Sequence, residues 1–326
     1  MNLFPAQRQT SLPGGYMGKI LRVNLTNGNL TDENLPEEPI LKKFIGGQAL
    51  ALYILMNELP LDAKPFGPEN KVVMMTGPLT GNGFTPGGTK MTAVYVSPLT
   101  NTTLGRGATS GYWATYLKAA GYDGVIVEGV SAKPVYLYVK DGQAELRDGA
   151  KVWGLGTRDT EDRLREIVGN RDARVLCIGP AGENMNRAAM LANDYNHFAA
   201  HSGGAVFGSK KLKAIVVSGT VRPSHRDKAK LVDAGLRWRN VLQQHDVKKK
   251  KTKYGHGDAW GALNNLNWRS TDIQPAHIAG FADNDVVLRP CFQCARMCPW
   301  DAKLGAGEFK GTVVHFNAGG EWLDSF

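Results

Sequence analysis

Three of the four cysteines in the chain, Cys291, Cys294 and Cys298, stand at C-x2-C-x3-C spacing in CFQCARMCPW, with Pro299 after the last. Thiolates this close along one backbone can reach three corners of a cubane iron–sulfur cluster, and bacterial cluster-binding runs also close on Cys-Pro, with a distant cysteine completing the set. Zinc is the alternative. It needs a fourth thiolate or imidazole, and His315 is the nearest downstream histidine. Spacing alone leaves both open. The C-x3-C-x2-C order of radical chemistry is absent, since the spacers are reversed. The fourth cysteine, Cys177, lies in ARVLCIGPAGEN, an apolar run closed by a Gly-Pro turn signal, and reads as a small hydrophobe in a buried strand.

A second set of residues suits a large anion. The 39 glycines concentrate in PLTGNGFTPGGTK, TLGRGATSGYW and AAHSGGAVFGSKK. Glycine lets backbone N–H groups approach a ligand closely, and such loops form nests for phosphate. Any one of them alone reads as a tight turn; three in one domain point to a polyanion. The formal net charge of +9 suits an anionic cofactor, an acidic partner or nucleic acid. Its densest piece, VKKKKTKYG, reads as a solvated face. Without interleaved aromatics or a recognisable motif, nucleic acid is not expected as a partner.

The elements that must carry these residues follow from length and pattern. A chain of 326 residues, 42% hydrophobic and 21% charged, can bury substantial cores and suggests two domains. No apolar run approaches the ~18 residues of a membrane span. The opening MNLFPAQRQTSLPGG lacks a secretory pattern, and clustered cysteines fit a reducing compartment, so a cytoplasmic location is expected. GKILRVNLTNGNLTDENL predicts a hairpin turning at Asn27-Gly28, and PVYLYVKDGQAELRDG another at Asp141-Gly142. VVMMTGP, KMTAVYVSP, GYDGVIVEGV, RVLCIGP and LKAIVVSG predict further strands.

Two helices stand out among the strands: TYLKAAGYD, and TEDRLREIVGN with Leu164, Ile167 and Val168 on one face ahead of Gly169. The result is an α+β domain of extensive sheet with few helices over residues 1–220. After Thr220 the strands are expected to stop. VRPSHRDKAKLVDAGLRWRNVLQQHDV reads as helix with Leu231, Leu236 and Val241 on one face, opening a helical domain over 221–326 that carries the cysteines. No solenoid-type repeat is visible.

GKILRVNLTNG, NKVVMMTGPLTG, PGGTKMTAVYVSPLT, LKAAGYDGVIVEG, CIGPAGEN and GSKKLKAIVVSGT, in this order and spacing, resemble the amino-terminal domain of the tungsten-containing aldehyde ferredoxin oxidoreductase family. CFQCARMC falls where that family begins its cluster ligands, and the resemblance runs from Gly15 to the end of the chain. It implies an amino-terminal double β-sheet domain forming a base under a tungsten (or molybdenum) bis-pyranopterin, followed by the start of an α-helical domain. It also implies a [4Fe–4S] cluster on Cys291, Cys294 and Cys298, and a magnesium ion bridging the pterin phosphates. The implied activity interconverts aldehydes and carboxylic acids, with ferredoxin or an iron–sulfur subunit as electron partner, in an oligomer. The chain has roughly half the family's length, and the fourth cluster cysteine is expected in the absent portion.

The resemblance also carries site residues. Gly87, Gly88 and Lys90 in PGGTK form a pterin-binding loop, Lys90 standing where the family has an arginine, so the cation is kept and the bidentate fork lost. Ala108 replaces a pterin-contacting asparagine, while Ser110 and Gly111 retain a close-approach loop. In NHFAAHSGG, His197 and His201 align with two arginines of a pterin loop, with Phe198 and Ala200 alongside. His315 aligns, across one gap, with an acid/base glutamate, and His256 falls in the channel region. Loss of the glutamate keeps open a low-potential reductase of an aromatic acyl-CoA, of the benzoyl-CoA reductase type. A non-catalytic electron-transfer subunit is a further alternative. A zinc-stabilised binding module leaves the family-wide match unexplained.

Overall fold

The computed structural model describes residues 12–248, 285–294 and 300–316. Contacts divide the chain into two compact units, Met1–Gly83 with Gly88–Lys228, and Phe84–Gly87 with Ala229–Phe326.

The first unit is built twice on one plan. Its first half runs β1 (Lys19–Asn24), β2 (Leu30–Asn34), α1 (Glu38–Phe44), α2 (Gly47–Glu58), β3 (Val72–Thr76), β4 (Met91–Val96), β5 (Leu104–Thr109), α3 (Trp113–Ala119) and β6 (Gly124–Glu128). The second runs β7 (Val135–Lys140), β8 (Gln143–Asp148), α4 (Thr157–Ile167), β9 (Arg174–Cys177), α5 (Pro180–Glu183), β10 (Leu191–Asn193), β11 (His197–Ala199), α6 (Gly203–Ser209) and β12 (Leu212–Ser218). Each half makes one six-stranded sheet, β2-β1-β6-β3-β4-β5 and β8-β7-β12-β9-β10-β11, the same order in both. In each, the first strand pairs parallel with the last and the other pairings are antiparallel.

Local chemistry explains the elements. At the β7–β8 turn Asp141 and Gly142 both have positive φ, 46° and 81°, the backbone twist that a two-residue hairpin requires. α4 closes on Gly169 at φ 65°, with the N–H of Asn170 reaching back to the carbonyl of Arg165 at 3.0 Å. Continuous apolar runs become strands covered on both faces. Val72 and Met74 of β3 enter a core shared with β7, β9 and β12, while Val73 and Met75 pack on Leu50, Ile54 and Leu55 of α2. β12 repeats this, with Ile215 and Val217 in the shared core and Ala214 and Val216 facing Leu164 of α4. Ile167 lies at the solvent edge instead of on the buried face. Helices are also more numerous than the pattern suggested, since α1, α2 and α6 join α3 and α4. α2 (GQALALYILMNE) is apolar nearly all round and α6 (GGAVFGS) is glycine-rich, so neither has the one-sided stripe that marks a helix in sequence.

In the second unit α7 (Lys228–Lys248) is the expected helix, with Leu236 and Val241 exposed. Strands do not stop at residue 220. β13 (Asp285–Leu288), β14 (Trp300–Lys303) and β15 (Val313–Phe316) form an antiparallel sheet, with the cysteines falling between β13 and β14 in the sequence. Among the described residues no helix is long and apolar enough to cross a membrane.

Candidate functional site

The repeated plan brings two equivalent strand-to-helix junctions together. β5 leads through Ser110-Gly111 into α3, and β11 leads through Ala200-His201-Ser202 into α6. A Cβ on Gly107 of β5 would lie 2.6 Å from the carbonyl oxygen of Ala200. Gly111, at φ 93°, is as tightly held: a Cβ there would sit 2.5 Å from Asp194 Oδ2 and 3.3 Å from the His197 ring. The backbone at both positions is therefore glycine's alone.

Buried polar side chains lock the junctions in shape. Asn193 accepts from the Thr109 hydroxyl at 2.7 Å and donates to the carbonyl of Ser110 at 2.8 Å, so one amide stitches the two sheets. Asp194 Oδ2 accepts the Tyr112 N–H at 2.6 Å. The Tyr95 hydroxyl, on β4, donates to the carbonyl of His201 at 2.6 Å. From α4, Glu161 accepts the Tyr195 N–H at 2.9 Å and an Arg165 N–H at 2.8 Å. Burial pushes the Glu161 carboxyl up to about 8, against the pull of Arg165. Nothing in the sequence pattern singled out Asn193, Asp194 or Glu161. The only signal was a polar run, NDYN, between two apolar strands, and such a run reads as a plain loop.

The loop residues divide by exposure. Phe198, Ala200, His201 and Lys90 are exposed and Ala108 is half-buried, whereas His197 is buried beside Gly111. Burial pushes the His197 imidazole below its usual value; Lys90 pushes the same way and Asp194 opposes both. A neutral His197 packs beside Gly111, and Lys90 is an exposed cation of the PGGTK loop. Gly88 accepts the Gly81 N–H at 2.9 Å, and the Thr80 hydroxyl donates to the Lys90 carbonyl at 3.1 Å, which ties down the segment ahead of β4. Gly87, at φ 76°, has open space where a side chain would stand, so its backbone can be approached closely. Gly87 and Gly88 fall on either side of the division between the two units.

In the second unit Cys291 and Cys294 are half-buried. The Cys294 N–H closes a turn on the Cys291 carbonyl at 3.0 Å, with Gln293 left-handed at φ 49°. Cys298 and His256 lie outside the described residues. Among the described residues no group of three or more His, Cys, Asp or Glu side chains is gathered for a metal. Cys177 is fully buried in β9, and burial pushes its thiol well up, which fits a packed core residue and not a ligand. His315, on β15, contacts Asp301 Oδ1 through Nδ1, and Arg289 donates Nε–H to Asp301 Oδ2 at 2.6 Å.

Residues 20–219 match the family described as aldehyde ferredoxin oxidoreductase, N-terminal domain. The chain is similar to a tungsten-containing aldehyde ferredoxin oxidoreductase of Pyrococcus abyssi (strain GE5 / Orsay), 44% identical over 220 residues that cover 67% of this chain and 36% of that protein. It is also similar to the WOR-like subunit of an aliphatic sulfonate oxidoreductase of Pyrococcus furiosus, 37% identical over 324 residues, covering 91% of this chain and 51% of the other. Among solved structures, the active-site complex BamBC of benzoyl coenzyme A reductase, bound to 1,5 dienoyl-CoA, superposes with a TM-score of 0.80 at 25% identity, over 94% of this chain and 49% of that one. The chain thus spans between 36% and 51% of the length of these relatives.

Proposed function

The chain belongs to the aldehyde ferredoxin oxidoreductase family, and from that premise we propose that it forms the cofactor-holding part of a tungsten (or molybdenum) bis-pyranopterin, [4Fe–4S] oxidoreductase acting on aldehydes and carboxylic acids. The observation that carries this reading is the pair of equivalent strand-to-helix junctions, Ser110-Gly111 and Ala200-His201, held side by side by Asn193 and Asp194. A ligand of two like halves, each ending in phosphate, suits a base built twice on one plan. Rigid backbone at glycine positions and the nearby Lys90 cation suit its anionic ends. When bound, the metallopterin supplies two-electron redox chemistry and the cluster supplies an electron outlet.

The residues divide the remaining work. Gly87, Gly88, Lys90, Ser110, Gly111, Ala200 and His201 would hold the pterins, with Ala108 and Phe198 bordering them and buried His197 supporting Gly111 from beneath. Cys291, Cys294 and Cys298 would hold the cluster; the first two of these lie on one tight turn. Oxidation of an aldehyde to an acid takes up water and releases two protons and two electrons. His315 is the group assigned to one of those protons, and ferredoxin or an iron–sulfur subunit would take the electrons.

A second reading, low-potential reduction of an aromatic acyl-CoA, is favoured by the histidine at position 315 and by the likeness to the benzoyl coenzyme A reductase complex. The test is to purify the native enzyme anaerobically and measure W, Mo, Fe and Zn together. Viologen-coupled turnover is then compared for an aldehyde panel, benzoyl-CoA and an aliphatic sulfonate. Tungsten with about four Fe per site supports the proposal, and the substrate that turns over separates the readings. Stoichiometric zinc without iron or tungsten would overturn it.

A further inference from the structure

We propose that Asp301 is a positioning residue for His315: it fixes the imidazole in the Nδ1–H tautomer, leaving the Nε2 lone pair as the proton-accepting atom, while Arg289 anchors the carboxylate. The inference rests on the reading of His315 as the proton-transfer group.

The three residues meet because of strand register. Asp301 of β14 and His315 of β15 are directly opposed in an antiparallel pair, which sets their Cβ atoms about 5 Å apart. Asp301 is 5% exposed, so its carboxylate has little water to satisfy it and must be satisfied by protein. Oδ1 meets His315 Nδ1, and Oδ2 accepts Arg289 Nε–H at 2.6 Å. An ionised carboxylate has only acceptor sites, so the ring nitrogen that faces it must carry the proton. In a neutral imidazole the other nitrogen then carries the lone pair. The guanidinium keeps its charge at any working pH, which holds the carboxylate in place. Two adjacent strands also position a ring more tightly than a loop can.

The competing role is a plain brace: a cross-strand ion pair that stabilises a small sheet and nothing else. The two differ in where the proton sits. We would record nitrogen-15 spectra of histidine-labelled, oxidised native enzyme, assigning His315 with a His315→Gln variant. In parallel, kcat, KM, metal content and Tm would be measured with benzaldehyde and benzyl viologen for the wild type, Asp301→Asn and His315→Gln. In the wild type His315 is expected to be protonated at Nδ1. In Asp301→Asn the side-chain amide can donate to Nδ1, so the proton should move to Nε2. There kcat should fall roughly 10- to 100-fold, as for other outer-shell partners of a histidine, with KM and metal content unchanged.

A wild-type ring protonated at Nε2 overturns the inference without recourse to any variant. So does an Asp301→Asn enzyme that loses thermal stability alone, with tautomer and kcat intact. Full activity of His315→Gln would overturn the proton-transfer reading itself, a failure that the tautomer measurement keeps distinct.

Discussion

At Gly111 the chain has no tolerance for a side chain: φ is 93°, and an added Cβ would lie 2.5 Å from Asp194 Oδ2. Gly111→Ala should cost about 1–3 kcal/mol through backbone strain and crowding, read as a lower Tm, and should reduce the tungsten retained on purification. A variant with wild-type melting and wild-type tungsten would remove Gly111 from the proposed site. Lys90→Glu is the electrostatic counterpart. It should leave Tm nearly unchanged, because Lys90 is exposed, and still lower pterin and tungsten content; equal content in both proteins would count against the loop. Cys294→Ser should strip most of the iron from the native enzyme, which iron analysis checks directly. The spacing of Cys291 and Cys294 was legible in the sequence; the turn between them, with Gln293 left-handed, was not. His197 and His201 looked alike in sequence; His197 lies on β11 with its side chain buried beside Gly111, whereas His201 lies past the end of that strand, at φ 69°, and is exposed.

Single elements are held to their neighbours by charge as well as by apolar packing. Arg22 on β1 binds Glu33 of β2, Glu58 of α2 and Glu128 of β6, at 2.5, 2.7 and 3.1 Å, and Lys71 also contacts Glu58 and Glu128. Burial opposes the charge on Glu58, but hydrogen bonds from Arg22 and Lys71 outweigh it and hold the carboxyl below its ordinary value of 4.5; Glu128 is held down in the same way. A carboxyl whose folded pKa is depressed contributes stability above its unfolded value and loses it as pH falls through the folded one. The urea midpoint should therefore hold near neutrality and drop below about pH 4.5. Arg22→Met should cost about 2 kcal/mol or more and flatten that acid limb. An acid limb as steep as the wild type's would show that the loss arises elsewhere. None of this hub was visible beforehand, because its members come from four elements spread between residues 22 and 128. By contrast, the β1–β2 and β7–β8 hairpins were legible from Asn-Gly and Asp-Gly turns, whose geometry is local.

In the whole first unit, the two sheets share one core and one polar seam. Trp113 of α3 sits fully buried there and donates to the carbonyl of Ile215 in β12 at 2.9 Å, so a residue of the first half is fastened to the second. Asn193 closes the same seam beneath the paired junctions. Asn193→Ala would strand the Thr109 hydroxyl and the Ser110 carbonyl, at about 1–3 kcal/mol for each buried group. The variant should unfold earlier, with both sheets still lost together, as judged by hydrogen exchange in β3 and β12. Separate loss of one sheet would show that the seam, and not the apolar core, makes the unit cooperative.

The sequence by itself determined the sheet-rich α+β class, most strands, two hairpins, the spacing of the clustered cysteines and the family. Each depends on neighbours in the chain, on period-two burial, turn residues or fixed spacing, or on several such segments in one order. The tertiary structure alone decided that residues 19–128 and 135–218 repeat one topology. It also decided that the junctions after β5 and β11 meet, that Asn193 and Asp194 hold them, and that Asp301 faces His315. The physical reason is common to all four. Backbone plan and cross-strand register bring together residues distant in sequence, and topology can repeat through different side chains, so no local pattern records which partners will meet.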